Sequence, residues 1–213
     1  MARLLPNSIY IMIPRCGCMT TESILKQLGL WQKDIRGRER FWHPDVKELK
    51  ELGWWDKRPF KFTFIRHPFD WLKSRWCYFQ IRGFNSLPGS KQKYIEPAEL
   101  YYDPDFNKFL ENCIEYYEKC GIGMVTQLYN EYTEDANFVG KLENLRNDLE
   151  KALILAGESY NSSIIHKSIS INQAYNTTKW RDNLYYTVSN YRKIIEIENE
   201  TIKKYKYNQI TSL

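Results

Sequence analysis

No stretch of this chain approaches about 18 consecutive apolar residues, so a membrane-spanning helix is not expected. Cysteines are few: Cys16, Cys18, Cys77, Cys113 and Cys120 are odd in number and lack the spacings of a disulfide scaffold. The Cys16-x-Cys18 pair has no second Cys or His pair at ligand spacing, which argues against a metal site. A large excess of one sign of charge is missing as well. A net charge of +5 over 213 residues falls short of the basic stripe that nucleic-acid binding requires, though it suits an anionic ligand. Also missing is a G-x-x-x-x-G-K-[ST] loop, with its second glycine, its lysine and its magnesium-holding hydroxyl. There is no internal repeat and no low-complexity linker. The first residues run almost directly into the first expected strand, so a cleavable leader is not expected.

What is present fits one domain over residues 1–213, with 43% hydrophobic residues and a core large enough to need neither disulfide nor metal. Seven tryptophans are unusual for this length: Trp31, Trp42, Trp54, Trp55, Trp71, Trp76 and Trp180. Some must be core, and others are candidates to stack on a sugar or aromatic acceptor.

Two segments carry the chemistry, each a short apolar strand running into a turn that opens a helix. In the first, Ser8-Ile9-Tyr10-Ile11-Met12-Ile13 leads into Pro14-Arg15-Cys16-Gly17-Cys18-Met19-Thr20-Thr21. The strand is β-prone and apolar enough for a buried parallel sheet. Pro14 ends it by removing a donor, and Gly17 lets the backbone approach a ligand closely. Thr20 or Thr21 is expected to cap the next helix, whose Ile24, Leu25 and Leu28 share a face, with Gly29 at its end. The helix N-terminus then offers N–H groups and its dipole to an anion, worth roughly 0.3–1 kcal/mol near the surface. Arg15 adds a charge-assisted bond on the order of 1.5–3 kcal/mol.

In the second segment, Phe62-Thr63-Phe64-Ile65 leads into Arg66-His67-Pro68-Phe69-Asp70-Trp71-Leu72-Lys73-Ser74. Arg66 falls at the carboxyl end of the strand, where open α/β sheets bind ligands. Pro68 and Asp70 suit the first turn of a helix, and Ser74 follows within reach of an anion shared with Arg66. Two such units predict a ligand with two separated phosphate-like groups.

The first turn resembles the 5′-phosphosulfate loop of the PAPS-dependent sulfotransferases, and Phe62 to Asp70 with Ser74 resembles their 3′-phosphate segment, as in carbohydrate-type and bacterial members. Gln127-Leu128-Tyr129, then Phe138-Val139-Gly140-Lys141-Leu142-Glu143-Asn144-Leu145 with Asp148, is similar to the family's later Q…VGRxENL…D stretch. The closing Lys204-Tyr205-Lys206-Tyr207 resembles its usual C-terminal end. The resemblance implies a single α/β domain with a central parallel β-sheet flanked by helices, P-loop-kinase-like in topology. It implies PAPS as cofactor without a metal, and transfer of a sulfuryl group to a carbohydrate or small-molecule acceptor. Arg15, Cys16, Gly17, Cys18, Met19, Thr20 and Thr21 would line the 5′ site, and Arg66 with Ser74 the 3′-phosphate. Animal members of the carbohydrate class usually carry an N-terminal membrane anchor and none is read in this sequence, so a cytoplasmic enzyme is expected, with the soluble part of an anchored enzyme as the alternative.

Where the family typically has lysine this chain has Arg15, which can neutralise charge on the phosphosulfate bridge but cannot donate a proton. Cys18 and Met19 replace loop hydroxyls, and Trp71 replaces an arginine. For the base, His43 lies between the two turns, where related enzymes place a His or Glu; Glu39 and Asp45 are carboxylate alternatives. His67 is read as structural, and His166 falls in a late loop. Two other readings stay open: a catalytically impaired relative that binds a nucleotide or glycan, and a nucleotide-dependent kinase. Further helices are expected at 44–52, 105–119, 143–156 and 184–205, with a long loop at 83–104 read as a lid. Residues 157–182 are expected to be irregular, with Lys179 and Arg181 closing over the cofactor.

Overall fold

The computed structural model describes residues 1–36, 43–82, 101–167 and 184–208. Glu39, Trp42, Trp180, Lys179, Arg181 and most of the expected lid lie outside them. The chain divides into two compact units, Met1–Arg66 with Asn130–Tyr175, and His67–Tyr129 with Asn176–Leu213.

The first unit is built on a five-stranded sheet. Its strands are β1 (Ala2–Leu4), β2 (Ser8–Ile11), β3 (Lys33–Ile35), β4 (Phe60–Ile65) and β5 (Phe138–Lys141), in the order β3-β1-β2-β4-β5. The pairs β2–β4 and β4–β5 are parallel, whereas β1 runs antiparallel to both β2 and β3. The expected central parallel sheet is present in β2, β4 and β5, and β1 joins it antiparallel. The reason is local: a turn closed by Leu5 N–H on Ser8 O (2.9 Å) joins β1 to β2, and so short a connection can only reverse the chain. β2 and most of β4 are buried, as their continuous apolar character predicts.

Helices α1 (Cys18–Gln27), α2 (Val46–Glu51), α6 (Leu145–Leu155) and α7 (Ser162–Lys167) complete this unit. Ile24 and Leu25 of α1, Leu149 and Leu153 of α6 and Ile165 of α7 join Tyr10, Phe62 and Phe64 in one core. The Tyr10 and Phe62 rings stack at 5.2 Å, and Phe64 meets Phe62 edge-on at 6.0 Å. Each such side chain contributes roughly 1.5–3 kcal/mol by leaving water. Buried Arg3 of β1 ties three elements together, pairing with Glu22 of α1 (2.9 Å) and Asp34 of β3 (3.1 Å) and lying 4.0 Å over the Trp31 ring.

The second unit is helical: α3 (Pro68–Arg82), α4 (Phe106–Cys120), α8 (Val188–Ile197) and α9 (Asn199–Lys204), with the start of α5 (Met124–Thr133). Asp105 caps α4 by accepting from Lys108 N–H (3.0 Å), and Gly121 ends it with φ 70°. The single helix expected over 184–205 is two, broken at Glu198. The Glu198 carboxylate turns inward and accepts from Val125 N–H (3.0 Å), Thr126 N–H (2.8 Å) and Thr126 Oγ1–H (2.7 Å). It therefore caps α5 from over seventy residues away, while Gly123 leaves the carboxylate room that a Cβ would take. No local cap residue announces α5, which is why the sequence reading lacks this helix. Among the described residues no helix is long and apolar enough to cross a membrane.

Candidate functional site

Because β2 and β4 are parallel neighbours, with Ile11 opposite Thr63, the turns that follow them leave the same edge of the sheet. β5 runs the same way, Lys141 opposite Ile65, so its turn into α6 leaves there too. This carboxyl edge is where open α/β sheets hold ligands.

The first turn departs from ordinary backbone. Arg15 has φ 65° and Gly17 φ 82°, both left-handed. For arginine that conformation costs roughly 1–2 kcal/mol, a strain that clusters at ligand-binding turns. Left-handed residues on either side of Cys16 are the backbone pattern of an anion-holding nest. Gly17, not Thr20 or Thr21, is the N-cap of α1, which corrects the expected cap. The first intrahelical bond is Thr21 N–H to Gly17 O (3.0 Å), so the Cys18, Met19 and Thr20 N–H groups precede it. Thr21 is buried and its hydroxyl donates to Gly17 O (3.1 Å). The Cys18 thiol donates to Ile13 O (2.9 Å), and burial pushes it up to about 11. Cys18 therefore presents its backbone, not a side-chain nucleophile or anion, to the turn. Cys16 is buried, Thr20 half-buried, and Met19 stands 48% exposed at the mouth. All five cysteines are free of disulfides.

The turn after β5 closes on the first. The φ favours glycine at position 17, and a Cβ there would lie 2.5 Å from Leu142 Cδ1 and push that side chain aside. Gly140 in turn admits the Phe64 ring, and Asp148 accepts from Lys141 N–H (2.7 Å) and Asn144 Nδ2–H (2.8 Å). The Gly140-to-Asp148 stretch is thus a buttress for the anion turn.

Arg66 follows β4 directly and is 8% exposed, a cation held at the sheet edge. Ser74 belongs to the second unit, buried on α3, together with Trp71. His43 stands at the edge of the first unit. Its Nδ1 lies 2.8 Å from Met12 O, just past β2. A carbonyl only accepts, so Nδ1 carries the proton and the neutral ring has its lone pair on Nε2. Asp45, the carboxylate alternative, accepts from Glu48 N–H (2.8 Å) as the cap of α2. His67 donates from Nε2 to Asn208 O (3.2 Å) and lies against Phe69 and Tyr207 in the second unit. His166 faces Glu150 Oε2 at 2.9 Å on α7.

The sequence reading did not foresee Tyr132, whose hydroxyl donates to His43 O (2.7 Å), nor Leu142 beneath Gly17. Neither carries a local signal, since each acts across a long stretch of chain. Among the described residues, four of the candidate stacking tryptophans have partners inside the protein. Arg3 and Lys26 lie 4.0 and 4.3 Å from the Trp31 ring, Lys33 lies 4.9 Å from Trp54, and Lys61 lies 4.7 Å from Trp55. Trp76 donates to Asp103 O (2.9 Å). Among the described residues no group of three or more His, Cys, Asp or Glu could hold a metal.

The chain has the sulfotransferase fold. Mouse sulfotransferase SULT7A1, in a crystal structure complexed with PAP, superposes with a TM-score of 0.54 over 94% of this chain and 84% of its own, at 14% identity. No family model matches the chain, and no curated protein matches it.

Proposed function

We propose that this protein transfers a sulfuryl group from PAPS to a hydroxyl or amine of a carbohydrate or small-molecule acceptor, releasing 3′,5′-ADP. The observation that carries the reading is the strained Arg15–Gly17 nest beside Arg66 at one carboxyl edge, formed by adjacent parallel strands. That the mouse neighbour was solved with PAP supports it. PAPS supplies the sulfuryl group and a phosphate leaving group. Backbone N–H groups of residues 17–20 and the Thr20 hydroxyl hold the 5′ end, while Cys16, whose N–H donates to Ile13 O (3.2 Å), shapes the turn with Met19 and Thr21. The Arg15 guanidinium neutralises charge there without moving a proton. Arg66 is assigned to the 3′-phosphate. His43 Nε2 accepts the proton of the acceptor while Nδ1–H stays on Met12 O.

Thermal unfolding with excess 3′,5′-ADP, against ADP plus magnesium, tests the site. At about 100 times its dissociation constant a ligand adds roughly 2.7 kcal/mol, several degrees for a domain of this size. A shift with 3′,5′-ADP alone supports the reading, whereas a shift only with ADP and magnesium moves it to a kinase. The inward Cys18 thiol, in place of a hydroxyl facing the loop, favours a second reading, binding without turnover. A 3′,5′-ADP shift with no transfer from PAPS across an acceptor panel would select it.

A further inference from the structure

We propose that Tyr132 is a positioning residue for His43, fixing the histidine so that its imidazole keeps Nδ1–H on Met12 O and its lone pair on Nε2. The inference rests on His43 being the base of the proposed transfer, and it adds a residue that no local sequence feature marks. The two hydrogen bonds act at opposite ends of one residue. The ring is held through Nδ1 by Met12 O at 2.8 Å, and the backbone is held through His43 O by the Tyr132 hydroxyl at 2.7 Å.

Each anchor is itself well fixed. Met12 is 1% exposed and follows directly on β2, the strand that enters the anion turn. The same strand end is braced by Thr63 of β4, whose hydroxyl donates to Ile11 O at 2.7 Å. Tyr132 is 1% exposed on α5, with a rigid side chain of two torsions, and its one polar atom reaches the histidine carbonyl. His43 is half-buried and precedes the Asp45 cap by two residues, so its own element begins only after it. Without the hydroxyl, the His43 carbonyl loses this hydrogen bond, and the backbone that carries the ring is held less firmly. A base that swings loses its alignment, and a ring released from Met12 O can place its proton on Nε2, where it cannot accept one. Tyr132 acts through His43 and touches no reacting atom.

The test is Tyr132→Phe, which keeps the ring and removes only the hydroxyl. Nitrogen-15 imidazole NMR of the full chain, with three histidines to resolve and His43→Ala as the assignment control, reads the tautomer directly. The parent is expected to show neutral His43 as the Nδ1–H form, and Tyr132→Phe a mixture with Nε2–H. In transfer from PAPS, kcat should fall roughly two- to tenfold with the donor KM unchanged. Added to His43→Ala, Tyr132→Phe should cost nothing more. An Nε2–H tautomer in the parent, or a tautomer that Tyr132→Phe leaves alone, overturns the proposal, as does an equal loss in both backgrounds. Failure of the base assignment looks different: His43→Ala would transfer at the parent rate, while the NMR arm would still decide what Tyr132 does.

Discussion

At the scale of single residues, the proposed site turns on His43, whose Nδ1 faces Met12 O, and on Gly17, whose left-handed backbone packs against Leu142. Replacing His43 with Ala should lower sulfuryl transfer by roughly 10²–10⁴-fold while the 3′,5′-ADP thermal shift persists, because the nest does not depend on the imidazole. Unchanged transfer in steady-state assays would remove His43 from the mechanism. Gly17→Ala carries two penalties, a left-handed φ of 82° and a Cβ 2.5 Å from Leu142 Cδ1. The first alone is worth roughly 1–2 kcal/mol. We expect a melting temperature lower by several degrees and a much weaker 3′,5′-ADP shift. Adding Leu142→Ala should relieve the crowding at Gly17 and restore part of the nucleotide shift, since the turn can then settle nearer its native path. Arg15 stands out as a candidate anion ligand by its place in the sequence; its left-handed backbone does not, since φ is set by the packed turn.

Among elements, α5 and the α8–α9 break share one cause, the buried Glu198 carboxyl. Burial pushes this group from its ordinary 4.5 up to about 7, against the pull of its Thr126 and Val125 donors, while Glu200 adds to the upward shift. Between those two values the folded protein keeps a proton that the unfolded chain has lost. The contribution of this group to stability is therefore greatest below pH 4.5, declines as pH rises, and is fully lost above about 7. The amplitude is at most on the order of 3 kcal/mol. Thermal unfolding of the parent and of Glu198→Gln from pH 4.5 to 8 should show the parent losing stability relative to the variant as pH rises. Parallel curves would mean that Glu198 does not titrate in this window. The break at Glu198 escaped the sequence reading because the residue belongs to the helical periodicity around it, and its partners lie at 125–126. By contrast α1, α3, α4 and α6 were legible, since their starts, apolar faces or closing glycines are local features.

For the whole molecule, the proposed ligand requires no metal, so the 3′,5′-ADP shift should be the same with magnesium and with EDTA. A shift abolished by EDTA, measured by the same thermal scan, would overturn the metal-free reading. The sequence by itself determined the two strand-to-helix turns, the cationic residue at each, and an α/β fold without disulfides. Those features rest on period, on turn chemistry and on residues adjacent in the chain. It also marked His43 by its position between the turns. Only the tertiary structure decided that the two turns share an edge of the sheet, because parallel pairing of β2 with β4 joins residues more than fifty apart. It alone turned β1 antiparallel, set Leu142 beneath Gly17 and brought Tyr132 to His43. It also filled the faces of Trp31, Trp54 and Trp55 with the protein's own cations. Hydrogen bonds and contacts between distant residues leave no periodicity in a sequence; they exist only once packing has closed the chain upon itself.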